Sequence, residues 1–118
     1  METLKSELFR GDHRLAKTLV SDPDHVVPGA RGEFVSRIQN AVLVLEGGQI
    51  SAHELQSKLY GPDTAKLVLA YKTRRQIINK TYQKTADNIV GKMTIQSLDK
   101  EMVVFEAAER QRQLHNRR

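Results

Sequence analysis

"YGPDTAKLVLAYK", residues 60–72, and "IVGKMTIQSLDKE", residues 89–101, share one skeleton: Gly, two residues, Thr, three residues, an aliphatic side chain. The shared positions are Gly61, Thr64 and Val68 in the first stretch, and Gly91, Thr94 and Leu98 in the second. Glycine ahead of a helix tolerates backbone angles closed to other residues and lets the entering chain pass close to a neighbour. Threonine three positions on can satisfy backbone groups of the first turn, and the aliphatic residue one turn further faces inward. Gly32 and Val35 start a weaker third copy, with Gln39 where Val68 and Leu98 stand. Three helices with related starts, two of them thirty residues apart, suggest an internal duplication.

The rest of the chain reads as helices and loops around these three. Asp12 is placed to cap a short helix to Val20 with Leu15 and Leu19 on one face. SDPDHVVPGARG, residues 21–32, is a loop. Phe34, Ile38, Ala41, Val42 and Leu45 form one apolar stripe of a helix from Glu33 to Leu45, ended by Gly47-Gly48. Ser51 and Glu54 have the spacing of a reciprocal capping box, which predicts a short helix over SAHELQSKL. Pro62 suits the first position of the next helix, which fades near Ile77. After Gly91, Ile95, Leu98, Met102 and Phe105 share a face, and the polar, helix-prone tail continues that helix into solvent. The expected core unites Val35, Ile38, Val42, Val68, Tyr71, Ile89, Ile95 and Leu98. The expected fold is all-α: a small three-helix bundle with additional short helices. Residues 1–28 form a short helix and loop packing on it, residues 29–105 the domain proper, and residues 106–118 a polar, basic helical tail.

At 118 residues the chain is one domain, with 39% hydrophobic but only 5% aromatic residues, so its core is aliphatic. It has no cysteine, which excludes disulfides and thiolate zinc sites. Its four histidines lie far apart, and Asp22, Asp24 and His25 sit in a Pro/Gly loop where such residues form turns. No nucleophile elbow, phosphate loop or zinc-helix motif occurs, so no catalytic residue, metal or cofactor is expected. No stretch approaches the roughly 18 apolar residues of a membrane span, and the charged N-terminus lacks a signal-peptide core. The net charge of +5 favours anionic partners. The basic residues are split between one segment and the tail, without helix-turn-helix spacing, which argues against nucleic acid.

RGEFVSRIQNAV, then YGPDTAKLVLAYK, then DNIVGKMTIQSLD resembles the peptidoglycan-binding-domain family. Its pattern runs RG-x-x-V-x-x-x-Q, then YG-x-x-T, then DG-x-x-G-x-x-T-x-x-x-L. The resemblance spans Gly29 to Met102. Tyr71-Lys72 stands where the family has Phe-Gln, and Asn88 where it has glycine after Asp87. Asparagine tolerates positive φ best among the other residues. Residues 46–60 form a longer linker than the family's minimum. The resemblance implies a three-helix module that usually accompanies cell-wall enzymes. A related module lies in metalloproteinase prodomains and binds no wall, so fold alone does not decide function.

The segment that best combines cations, amides and an aromatic ring is KTRRQIINKTYQKTADN, residues 72–88. It contains Lys72, Arg74, Arg75, Lys80 and Lys84 ahead of Asp87. Stem-peptide carboxylates suit such cations, and sugars suit an aromatic face. The expected ligand face is Arg74, Arg75, Asn79, Tyr82, Lys84 and Asn88. Basic residues also gather at helix C-termini for dipole reasons alone, and both readings of this segment remain open. Asp87 is expected to brace the turn into the last helix, and Gln39 to bond a neighbouring backbone group. The expected function is non-catalytic binding of peptidoglycan, targeting an attached or partner wall-active or secreted effector protein. The alternative is a protein-interaction or targeting module of a toxin or effector that itself binds no wall. The implied location is the bacterial periplasm or cell envelope, reached from the cytoplasm by a specialised secretion machine or by lysis.

Overall fold

The structure is a computed structural model that describes residues 3–78 and 85–116. Five helices account for most of them: α1 (His13–Val20), α2 (Glu33–Leu45), α3 (Ala52–Ser57), α4 (Pro62–Arg75) and α5 (Lys92–Asn116). A single 3₁₀ turn, Asp22–Asp24, follows α1. No strand occurs among the described residues, and the fold is all-α. α2 packs against both α4 and α5, and α1 lies on α5.

The helix ends follow local chemistry. Asp12 caps α1 by accepting from the Leu15 N–H at 2.9 Å. Arg14 and Thr18 donate to the Asp24 carbonyl at 2.7 and 2.8 Å, folding the following loop back onto α1. α2 ends where Gly47 takes a positive φ of 79° that a side chain would resist. α4 ends on Gln76 in the left-handed region, whose N–H bonds back to the last turn.

The three glycine-led starts occupy one register. Gly32, Gly61 and Gly91 each accept, through their carbonyls, from the N–H four residues on: Ser36 at 3.2 Å, Ala65 at 2.9 Å and Ile95 at 2.9 Å. Three residues after each glycine, Val35, Thr64 and Thr94 are buried; seven after, Gln39, Val68 and Leu98 are fully buried. One extended segment ties the starts together. Val26 and Val90 exchange two backbone bonds of 2.9 Å immediately before α5, while Gly29 and Ala30 bond Tyr60 at 2.8 Å immediately before α4. The same segment then runs into α2.

Two details of the expected starts differ. Gly61 has a φ of −99°, so its requirement is space and not a left-handed backbone. A Cβ there would come within 2.7 Å of the Glu54 side chain. The capping box at Ser51 is only half formed. Ser51 accepts from the Glu54 N–H at 3.3 Å, but Glu54 does not reach back. Its carboxylate instead caps the next helix, accepting from Asp63 N–H and Thr64 N–H at 2.9 Å each and from the Thr64 hydroxyl at 2.7 Å. Ser51 N–H turns to Asp63 Oδ2 at 2.9 Å. α3 and α4 thus cap each other.

Seven of the eight expected core residues are buried together; the eighth, Ile89, is only half-buried, and its neighbour Val90 is fully buried in its place. The antiparallel bridge to Val26 fixes that parity, because side chains alternate along an extended segment. Gln39 meets its expected backbone partner, donating to the Leu59 carbonyl at 3.0 Å and also to Thr64 Oγ1 at 3.0 Å. The N-terminal segment before α1 also enters the core through Leu4 and Phe9. Its backbone is clasped by acids of α5: Lys5 and Ser6 N–H donate to Asp99 at 2.8–3.1 Å, and Glu7 and Leu8 N–H to Glu106 at 2.8 and 3.0 Å.

Candidate functional site

The basic segment begins in the last turn of α4. Lys72, Arg74 and Arg75 are successive parts of one helix end, yet the fold gives them different environments, because neighbouring residues point about 100° apart on a helix. Lys72 is buried, with Nζ 2.5 Å from Asp87 Oδ1 and 2.7 Å from the Ile89 carbonyl. It is therefore withdrawn from the solvent-facing cationic run. Asp87 Oδ1 also accepts from the Ile89 N–H at 3.1 Å, and so braces the turn that leads into α5.

Arg75 is the centre of a clasp joining three helices. Its Nε and one terminal nitrogen grip Glu101 of α5 at 2.5 and 2.8 Å. The other terminal nitrogen donates to Glu46, just past α2, at 2.9 Å. The guanidinium plane lies 3.8 Å from the centroid of the Tyr71 ring, a cation–π contact. Tyr71 hydroxyl in turn lies 2.7 Å from Ser97 Oγ and 2.7 Å from Glu101 Oε2. The hydrogen bond from Arg75 holds the Glu101 carboxyl below its ordinary pKa against the opposing effect of burial. The same bond raises Arg75, and burial raises the Tyr71 hydroxyl. Glu101 is accordingly ionised and Arg75 protonated around neutral pH, and the trio works as a fastening.

Arg74 has a different fate. Its side chain is 70% exposed, and Glu46 Oε2 lies 3.6 Å away. Glu46 thus shares its two oxygens between the buried-side Arg75 and the solvent-side Arg74. A guanidinium held this way is available to a carboxylate from solution. Asn88 is half-buried, and its backbone carbonyl accepts from the hydroxyl of the fully buried Tyr60. Arg74 and Arg75 lie together in the last turn of α4, and Asn88 lies in the turn before α5, which Lys72 ties to α4 through Asp87 and the Ile89 carbonyl. Asn79, Tyr82 and Lys84, together with Lys80, lie outside the described residues.

The acids Glu46 and Glu101 carry no local signal in the sequence that ties them to the arginines. The cue for Glu46 is its place directly ahead of the Gly47-Gly48 helix stop, where α2 delivers it to the end of α4. Among the described residues no group of three or more His, Asp or Glu side chains is arranged to hold a metal ion. No helix among the described residues is long and apolar enough to cross a membrane. Comparison of the chain with protein-family models, curated proteins and solved structures finds no match.

Proposed function

We propose that the chain is a non-catalytic module that binds peptidoglycan and carries an attached or partner protein, wall-active or effector, to the cell wall. The observation that supports this best is the common register of the three submotifs. The residues that carry the family resemblance, Gly32/Val35/Gln39, Gly61/Thr64/Val68 and Gly91/Thr94/Leu98, hold equivalent buried places in three helix starts tied by one segment. The proposed ligand face is built on the exposed Arg74, with Asn88 at the turn before α5 and Asn79, Tyr82 and Lys84 from the intervening segment. Arg75 contributes by anchoring Glu46 beside Arg74. Carboxylates of stem peptides are the partners of the cations, and the tyrosine ring serves a sugar face.

Co-sedimentation with purified sacculi tests the reading, with an unrelated protein of equal basic charge as control. The chain should pellet at both low and high ionic strength, the control only at low. Tyr82→Ala should lose pelleting at both, since ring contact is not screened by salt. Wild type remaining in the supernatant would overturn wall binding and leave the protein-targeting alternative.

A further inference from the structure

α5 carries two apolar seams. The inner one, Ile95, Leu98, Met102 and Phe105, lies in or against the core. The outer one runs along the opposite side of the same helix. Met93, Lys100, Ala107 and Leu114 recur every seven residues, and Val104, three before Ala107, completes the a/d spacing of a coiled-coil seam. Met93 is 52%, Val104 66% and Leu114 63% exposed, with Val103 alongside them at 37%. Exposed apolar residues scattered singly need no explanation, but a periodic row along one helix face does. Gln111, seven after Val104, continues the row as an uncharged position, while Ser97, seven before it, bonds Tyr71 and Glu101.

A groove of about 590 Å³ opens beside the middle of this seam, between α5, α1 and the N-terminal segment. Leu19, Val103 and Val104 give it apolar walls, and Lys5 and Lys100 are exposed at its rim. Two lysines against one acid, Asp99, leave the groove lining positive, and every acid of α5 is held by a partner. Both oxygens of Asp99 are taken by backbone N–H groups of Lys5 and Ser6, Glu101 is gripped by Arg75, and Glu106 by the N–H groups of Glu7 and Leu8. Glu109 pairs with Arg112 on its own helix at 3.0 Å.

We propose that the outer seam of α5 and its groove dock an acidic amphipathic helix of a partner protein. Apolar side chains of that helix lie along Met93, Val104 and Leu114, one of them entering the groove, while its flanking carboxylates meet Lys5 and Lys100. A second copy of this chain would bring like charges together, on a chain of net charge +5. The whole seam spans about 30 Å of helix, and a small anionic amphiphile would fill the groove and leave the rest of it uncovered. This docking is independent of wall binding and sits on different residues.

The probe is a fluorescein-labelled peptide of about three heptads with Leu at a and d and Glu at e and g. Fluorescence anisotropy should show saturable binding. A scrambled peptide of equal composition, which keeps the charge and loses the stripe, should bind at least about tenfold more weakly. Val104→Asp should weaken the amphipathic peptide by a similar factor with an unchanged melting temperature, because the side chain is exposed. Lys100→Glu should weaken the Glu peptide and improve binding of a Lys-substituted one. Arg74→Ala should leave peptide binding intact, and Val104→Asp should leave sacculus pelleting intact, so the two functions fail separately. Equal binding of the scrambled peptide, or no effect of Val104→Asp, overturns the proposal. So does a concentration-dependent dimer in sedimentation equilibrium that Leu114→Asp abolishes, or flotation with phosphatidylglycerol vesicles without peptide binding.

Discussion

Glu54 and Gly61 fit together because one of them has no side chain. A Cβ on residue 61 would sit 2.7 Å from Glu54 Cδ, in the space through which the carboxylate reaches the Asp63 and Thr64 N–H groups at 2.9 Å. Gly61→Ala should therefore cost about 1–3 kcal/mol, from strain at the contact and a weakened cap. In a Glu54→Ala background the clash is gone, and the added cost of Gly61→Ala should shrink. Urea unfolding of the double-mutant cycle measures this coupling. Additive costs would show that the two residues do not share the space.

The helices were legible because their signals are local. Asp12, Pro62 and the Gly47-Gly48 stop act within a turn of the helices they bound, and the apolar stripes repeat within single segments. Glu54 shows where such reading ends. Its spacing from Ser51 is that of a capping box, but Gly61 opens a nearby helix start with several N–H donors, and the carboxylate goes there. The N-terminal segment was opaque for a related reason. Leu4 and the pair Leu8-Phe9 are too few to mark a helix or strand face, and the segment is held by Asp99 and Glu106 at the far end of the chain. In the candidate site, the sequence marked a cationic cluster but could not sort it. Which of Lys72, Arg74 and Arg75 faces solvent depends on Asp87, Glu46 and Glu101, each delivered by a different part of the fold.

The bridge at Val26 decides which of two adjacent aliphatic residues supports the core. Val90→Ala should cost about 1–3 kcal/mol through lost burial and a cavity, and Ile89→Ala distinctly less despite its larger side chain. Val68→Ala and Leu98→Ala, at fully buried equivalent positions, should each cost about 1–4 kcal/mol. Denaturant midpoints of the four variants rank them. An Ile89 effect as large as that of Val90 would mean the bridge sets a different parity.

Arg74 and Arg75 are neighbours with separable roles. Arg75→Ala leaves Glu46 and Glu101 without their shared partner and removes the stack on Tyr71, which should cost about 1–3 kcal/mol. Arg75→Lys should recover only part of this, because an ammonium cannot match the forked grip on Glu101. Arg74→Ala, at an exposed position, should change stability by less than about 1 kcal/mol. It should weaken sacculus pelleting mainly at low ionic strength. A stability loss at Arg74 equal to that at Arg75 would remove the distinction between fastening and ligand face.

Acid should loosen the molecule through the carboxylates that the fold keeps ionised. Burial alone would raise the Glu54 carboxyl, but hydrogen bonds from Thr64, Asp63 and Gly61 together outweigh it, and the pKa lies below the ordinary 4.5. Glu101 is lowered from 4.5 chiefly by its bond from Arg75. A carboxyl whose folded pKa is depressed contributes stability that is fully present above the unfolded value. That contribution is lost as pH falls through the folded one. Wild-type stability should accordingly hold from neutral pH down to about 5 and then decline as these groups protonate. Glu54→Gln removes the charge but keeps the size, so it should be less stable than wild type near neutral pH by about 1–3 kcal/mol. The gap should narrow below about pH 4, where wild type carries a protonated Glu54 as well. Urea midpoints of the two proteins across that range check the sign. A gap that stays constant from neutral pH to the acid limb would mean that the ionised form of Glu54 is not what caps α4.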